Sequence, residues 1–337
     1  MKWLVKRALF VVVTLASSVV FSSGVGASVS RNAGKYGAMF SWWYAQLPPF
    51  TIYPPTITWD ARDQRWWNAI VRQAKDAGLG WLAAACWGQD MSADPADLGP
   101  LLRAIDVNGG GLKIALFDDT TSEVLRKNRA KGRGLATSPQ FDLSDLSGTG
   151  EGGLQYFYDQ QWKRFFLTVP DAYRFKIDGR PVIFMWITTP LWYTNQGSFH
   201  TVLQELRAST YRDFGFDPFV IPEESWQRFD PLTDADALLD WFEPNKHNAT
   251  LTSFRNVRVG HLIAGYDCSR CIPTPGDVVD RQDGRVYISG MEAIAPLSDV
   301  VLIEGFVDVD ENAHLVETTT WGRRYIDLTR WYATNVP

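Results

Sequence analysis

Short, nearly continuous apolar runs recur along this chain, and between them apolar residues return every three or four positions. The runs are Gly37–Trp43, Trp81–Trp87, Leu112–Phe117, Pro181–Trp186, Pro218–Pro222, Leu238–Phe242, Gly260–Ala264 and Val300–Phe306. Unbroken apolar runs suit strands covered on both faces, whereas strands with one wet face alternate. The segments between them read as helices. Arg65–Ala77 carries Trp66, Ala69, Ile70 and Ala74 on one stripe and meets Gly78 as a stop signal. Asp97–Ile105, Gly153–Leu167, Phe199–Phe214, a short Asp234–Leu239, Val286–Ala295 and a closing Trp321–Ala333 follow. Strand and helix alternating about eight times predicts parallel pairing, because parallel strands need crossover connections. The pattern predicts a single-domain α/β fold, a (β/α)8 TIM barrel. The rival, an open doubly wound sheet, lacks the Gly-rich phosphate loop it would show after its first strand.

Three longer stretches, 132–153, 245–258 and 267–284, read as loops, and in a barrel such loops sit near the ligand. The start of the chain departs from the pattern. Lys2, Lys6 and Arg7 precede an apolar run from Ala8 to Ala16, and Val25-Gly26-Ala27 supplies small residues for cleavage. This is the layout of a secretory signal peptide over 1–27, leaving 28–337 as the mature, secreted barrel domain, extracellular or periplasmic. Losing those three cations takes the net charge from −5 to −8, which argues against nucleic acid or an anionic membrane surface as partner. Once the leader is cleaved no membrane attachment is expected, and the chain is expected to act as a monomer.

Composition adds two points. Fifteen Trp are more than a core needs, since each buried indole N–H wants a partner, so part of them is expected to line a site. Of three Cys, Cys268 and Cys271 form C-x-x-C without a second pair or nearby His, so a local disulfide is expected in an exported chain. Cys86 reads as a buried thiol. No two of the four His stand at i, i+4, and the acids after Phe306 lack the spacing of a calcium loop. No metal and no cofactor is predicted.

The candidate chemistry lies where the strands end. The first runs into Trp42, Trp43 and Tyr44, the second into Trp87 and Asp90, the third into Asp118 and Asp119, and the fourth into Trp186. The fifth ends in Glu223, Glu224 and Trp226, the sixth in Trp241 and Glu243, the seventh in Tyr266 and Asp267. The last gives Glu304, Asp308, Asp310 and Glu311. In a barrel these ends converge on one rim. Indoles stack on the apolar faces of sugars and carboxylates accept their hydroxyls. Two carboxyl groups flanking a glycosidic bond supply acid and nucleophile or base. Any single acid here can equally be a helix cap or a loop acceptor.

The last third resembles the glycoside hydrolase 99-like and WbsX-like barrel proteins. The resemblance rests on order and spacing: GRPVIFMW at 179–186, AGYDCSRC, GRVYISGMEAIA, VVLIEGF, an acidic stretch, and a closing WGRRYIDLTRWYA. Those relatives end their last strand in a motif like N-E-W-x-E-G-T, whose two Glu carry catalysis. Here the stretch reads VDVDENA at 307–313, which places Asp308 and Glu311 at the two positions. The first acid is one methylene shorter, and Val307 and Val309 replace Asn and Trp. FSWWYAQLPPF and IEGFVDVDENA look more like the DUF5010-type domain, which implies the fold and a carbohydrate context over nearly the whole mature chain.

The expectation is a glycoside hydrolase acting on an oligo- or polysaccharide. Glu311 is the expected acid/base and Asp308 or Glu304 its partner, with Glu223, Glu224, Asp118 and Asp119 as further candidates. Trp42, Trp43, Tyr44, Trp87 and Trp226 would form the sugar platform, with Asp90, Trp186, Trp241 and Tyr266 also on the substrate side. The alternative is a non-catalytic carbohydrate-binding barrel protein.

Overall fold

The structure is a computed structural model that describes residues 29–122, 141–148, 152–186, 193–231, 234–241, 248–271 and 275–337. The leader expected over 1–27, the acid Glu243 and much of the loop after the third strand lie outside the described residues. Thirteen strands are found among the described residues: β1 Tyr36–Phe40, β2 Trp81–Cys86, β3 Lys113–Asp118, β4 Phe141–Asp142, β5 Lys176–Ile177, β6 Arg180–Met185, β7 Tyr193–Thr194, β8 Phe219–Pro222, β9 Ala249–Phe254, β10 Val257–Leu262, β11 Tyr266–Asp267, β12 Val278–Val279 and β13 Val300–Ile303.

The fold is mixed α/β around a parallel sheet. Seven strands pair in parallel in the order β10-β13-β1-β2-β3-β6-β8, and β9 and β5 add antiparallel partners to β10 and β6. Seven of the eight runs read from the sequence are strands, shifted by a few residues at most. The sixth run is reduced to a parallel bridge between Leu239 and Glu223 beside β8, and Phe242 is outside the described residues.

Side-chain parity divides the apolar residues into two layers. Trp81, Ala83, Ala85, Ala115, Phe117, Val182, Phe184, Phe219, Ile221, Leu239, Val257, Val259, Val300 and Leu302 join one buried cluster. The intervening Leu82, Ala84, Leu116, Ile183, Val220, Val301 and Ile303 pack outward with the helices. Both faces are therefore dry, which is why the strand runs read as continuous. Trp81 fills the first layer, stacked on Phe175 at 4.6 Å and on Phe184 at 5.5 Å. Gly37 makes room for it, since a Cβ there would lie 2.0 Å from the Trp81 ring.

The helices follow their apolar stripes. Gln64–Asp76 is capped by Asp63, whose carboxylate accepts from Arg65 N, and buries Trp66, Trp67, Ile70, Val71 and Ala74. Gly99–Val107, Phe199–Phe214, Arg285–Ile294 and Arg324–Asn335 are the other long helices described. Leu154–Trp162 is a π-helix that runs on into Lys163–Thr168.

Two readings of the sequence are corrected. Asp234–Leu239 is not helical but runs through a turn and bends beside β8, with Asp236 N and Leu239 N donating to Val220 O and Pro222 O. The cause is Asp236, whose carboxylate is engaged by Arg180, Arg207 and Val220 N and so fixes the backbone. Stretch 245–258 is not all loop, because β9 and β10 form a hairpin across Arg255-Asn256. In β9 the buried positions are Thr250 and Thr252, so that strand's buried face is polar and gave no apolar run.

Candidate active site

A cavity of about 340 Å³ opens at the C-terminal ends of the parallel strands. Met39, Ala85 and Phe117 line its depth; Trp43, Trp87, Trp186 and Trp241 form walls; Asp119, Tyr266, Glu304, Asp308, Asp310 and Glu311 supply polar groups. The wall residues continue the inward parity of their strands. Ala85 is followed two residues on by Trp87, Phe117 by Asp119, Phe184 by Trp186, Leu239 by Trp241 and Leu302 by Glu304.

The acids come from one tightly folded loop. Glu304 leaves β13 with its N–H on Leu262 O, and Gly305 turns the chain at φ 75°. A Cβ on Gly305 would lie 2.8 Å from Ala313 Cβ, so the turn and the close return both need glycine. Phe306 N donates to Met39 O, and Ala313 N and His314 N donate back to Asp308 O. Arg281 is buried between Tyr53 and Tyr325 and donates to Asn312 O and His314 O, closing the loop from behind. Asp267 N donates to Glu311 O, and Cys268 and Cys271 beside it are joined by a disulfide.

Carboxylate oxygens of Glu304, Asp308 and Glu311 lie within 4.8 Å of one another. Burial raises all three pKa values. Glu304 and Asp308 stand well above the carboxylate range, the first helped by Glu311 and the second by Asp310. Glu311 is pushed up to about 8 by burial and by Asp310, against the opposing pull of the Tyr266 hydroxyl. Protons are thus held in this cluster at neutral pH. Glu304 Oε2 stands 3.6 Å from His261 Nε2, beyond hydrogen-bond range, and burial holds His261 neutral with its pKa near 3. His261 stacks on Trp241 at 4.5 Å.

The opposite wall is a second assembly. Trp87 Nε1 donates to Asp119 Oδ2 at 2.8 Å, Ser122 N donates to Asp119 Oδ1, and Trp43 stacks on Trp87 at 4.4 Å. Trp186 packs on Trp241 at 5.9 Å.

Other residues singled out in the sequence lie elsewhere. Asp118 faces the helix layer, fully buried, where it accepts from Trp162 Nε1 and Thr120 N and burial lifts its pKa to about 7. Glu223 is buried and caps the turn Glu224–Arg228 through Ser225, its pKa raised to about 7 by burial. Glu224 is half-buried outside the cavity lining, its pKa raised by burial and Asp240. Trp226 is buried between Tyr193 and Phe199. Trp42 is buried against Phe40 and Trp67. Tyr44 stands behind the acidic loop, its hydroxyl 3.0 Å from Asp310 Oδ2. Asp90 is exposed in a turn at φ 62°. Sequence reasoning passed over Phe117 and Met39 in the cavity's depth and gave Asp310 no role. The parity that carries Asp119 inward carries Phe117 too, and is the signal that finds it.

Residues 18–337 match the family described as a domain of unknown function, DUF5010. No curated protein matches the sequence. Among solved structures, the chain is similar to a GH99 endo-alpha-mannosidase from Bacteroides thetaiotaomicron in complex with bis-tris-propane, at 15% identity and TM-score 0.59, covering 90% of this chain and 97% of that one. A second structure of a GH99 endo-alpha-mannosidase from that organism gives 14% identity and TM-score 0.56 over the same shares. A glycoside hydrolase-like protein gives 12% identity and TM-score 0.55, over 89% of this chain and 93% of that one. At these identities the likeness is one of fold.

Proposed function

The chain belongs to the DUF5010 family, and from that premise we propose that it is a secreted glycoside hydrolase on a closed (β/α)8 barrel. The observation that carries the reading is the meeting of Glu304, Asp308 and Glu311 within 4.8 Å inside a cavity walled by indoles. Hydrolysis of a glycosidic bond needs one carboxyl group protonated at working pH and another ionised. Glu311, with its pKa near 8 and its place in the cavity lining, is the general acid and then the base. Asp308, with Glu304 behind it, is the partner; with its pKa raised by burial and by Asp310, it meets the developing positive charge on the sugar in the fraction of molecules in which it has released its proton. Nearest oxygens within 4.8 Å leave little room for a water between the carboxyl groups, and a retaining pair is the reading to be tested. Asp119 takes sugar hydroxyls, and Trp43 and Trp87 give the stacking surface.

Closure is supported by the shared inner layer, which joins Leu239 beside β8 to Val257 and Val259 of β10. Export is supported by the leader pattern at 1–27 and by the Cys268–Cys271 disulfide, which suits an oxidising compartment. No described helix is long and apolar enough to cross a membrane.

The test is a panel of aryl glycosides and oligosaccharides, α-mannosides first because two similar structures are endo-alpha-mannosidases, read as new reducing ends. Hydrolysis by residues 28–337 that is insensitive to chelator supports the proposal. Sugar binding by calorimetry without turnover selects the non-catalytic glycan-binding reading, which the shortened acid at Asp308 favours. Loss of activity on chelation points instead to a hard cation held by the three carboxylates.

A further inference from the structure

Beyond Trp43 lies a second groove of about 520 Å³, and Trp43 lines both it and the cavity. We infer that this groove is a second sugar subsite, and that the substrate is a neutral glycan longer than the cavity holds, laid across Trp43 with its distal sugars in the groove. The inference rests on the carbohydrate reading of the cavity.

Three observations carry it. The cavity, at about 340 Å³, is at the small end of the about 300–1,000 Å³ usual for ligand sites, so a longer chain must leave it. The exit over Trp43 is a rigid partition, because Trp43 is stacked on Trp87 at 4.4 Å and Trp87 is held by Asp119 at 2.8 Å. The groove also has the chemistry of a sugar site. Its accessible apolar side is Trp43 with Ala45, Ala61 and Pro100, over a floor of the buried Trp42 and Trp67, and its polar residues are Arg62, Ser92 and Asp97. Asp60 engages Arg62 through Nε and Nη2, and a guanidinium has five donors, so further donors remain to meet hydroxyls. An accessible indole, Trp43, beside a planar donor and a planar acceptor suits a neutral sugar. A groove of balanced charge, with one cation and one acid, does not call for a charged polymer.

The test uses residues 28–337 carrying Glu311→Gln, so that ligand is not consumed, titrated calorimetrically with α-manno-, β-gluco- and β-galacto-oligosaccharide ladders of two to six sugars. Affinity for one ladder is expected to rise at least tenfold between the disaccharide and the longest member. Adding Ala96→Trp, or independently Ser92→Trp, places an indole from an exposed position into the groove and should abolish that rise. Thermal unfolding of each variant shows whether it is folded. A flat affinity along the ladder, or a rise that survives both fillings, overturns the groove and leaves the cavity reading standing. No binding of any ladder overturns both.

Discussion

Replacing Glu311 by Gln should abolish hydrolysis without destabilising the protein, and the structure gives the size of both effects. The amide keeps the shape of the protonated acid and can still accept from Tyr266, but it cannot give up a proton. Loss of a positioned general acid lowers kcat by about 10²–10⁴-fold. Stability moves the other way. Folded Glu311 holds its proton to about pH 8, whereas an unperturbed Glu releases it near 4.5. The native state therefore binds more protons than the unfolded chain in that window, and stability falls as pH rises through it. At pH 7 the penalty is at most about 3 kcal/mol, reduced by the partial exposure of the side chain. Glutamine removes it. The variant should match wild type below about pH 4.5 and exceed it increasingly up to about pH 8, by roughly 2 °C in Tm for each kcal/mol. The assay is reducing-end release at pH 7 beside thermal unfolding at pH 4, 6 and 8. Activity within tenfold of wild type, or an equal drop in Tm at every pH, would show that Glu311 is a structural acid.

Other expected outcomes follow from the same geometry. Asp118→Ala removes the acceptor of Trp162 Nε1 and should lower stability in urea by about 1–3 kcal/mol, while Asp119→Ala should mainly weaken glycan affinity in calorimetry. The reverse pattern would exchange their roles. Gly37→Ala drives a Cβ into the Trp81 ring and should cost about 1–3 kcal/mol or more in the same urea assay; a neutral effect would mean the inner layer is loosely packed. Reducing Cys268–Cys271, separated by three positions, should lower stability by about 2 kcal/mol, read as a small shift in Tm with reductant. Unfolding outright would show that the acidic loop depends on the bridge. NMR of the first sugar released should show retained anomeric configuration, and inversion would displace the Glu311–Asp308 pairing.

The sequence by itself determined the α/β alternation, the strand runs and the places where those runs end. Its information was local: runs are continuous because both sheet faces are dry, and helices show a stripe because one face is. It named Trp43, Trp87, Asp119, Trp186, Trp241, Tyr266, Glu304, Asp308 and Glu311, and the structure sets all nine around one cavity. It did not separate Asp119 from Asp118. The two are adjacent, and only strand parity sends one to the cavity and the other to Trp162. Nor did it show that Glu223 would be taken by Ser225 as a turn cap, or that Trp42 and Trp226 would be buried under other rings. Strand β9 was silent because its buried residues are threonines. The raised pKa values belong wholly to the tertiary structure. An acid is ordinary in the chain and unusual only after Gly305 has folded the loop back and desolvated three carboxyl groups together.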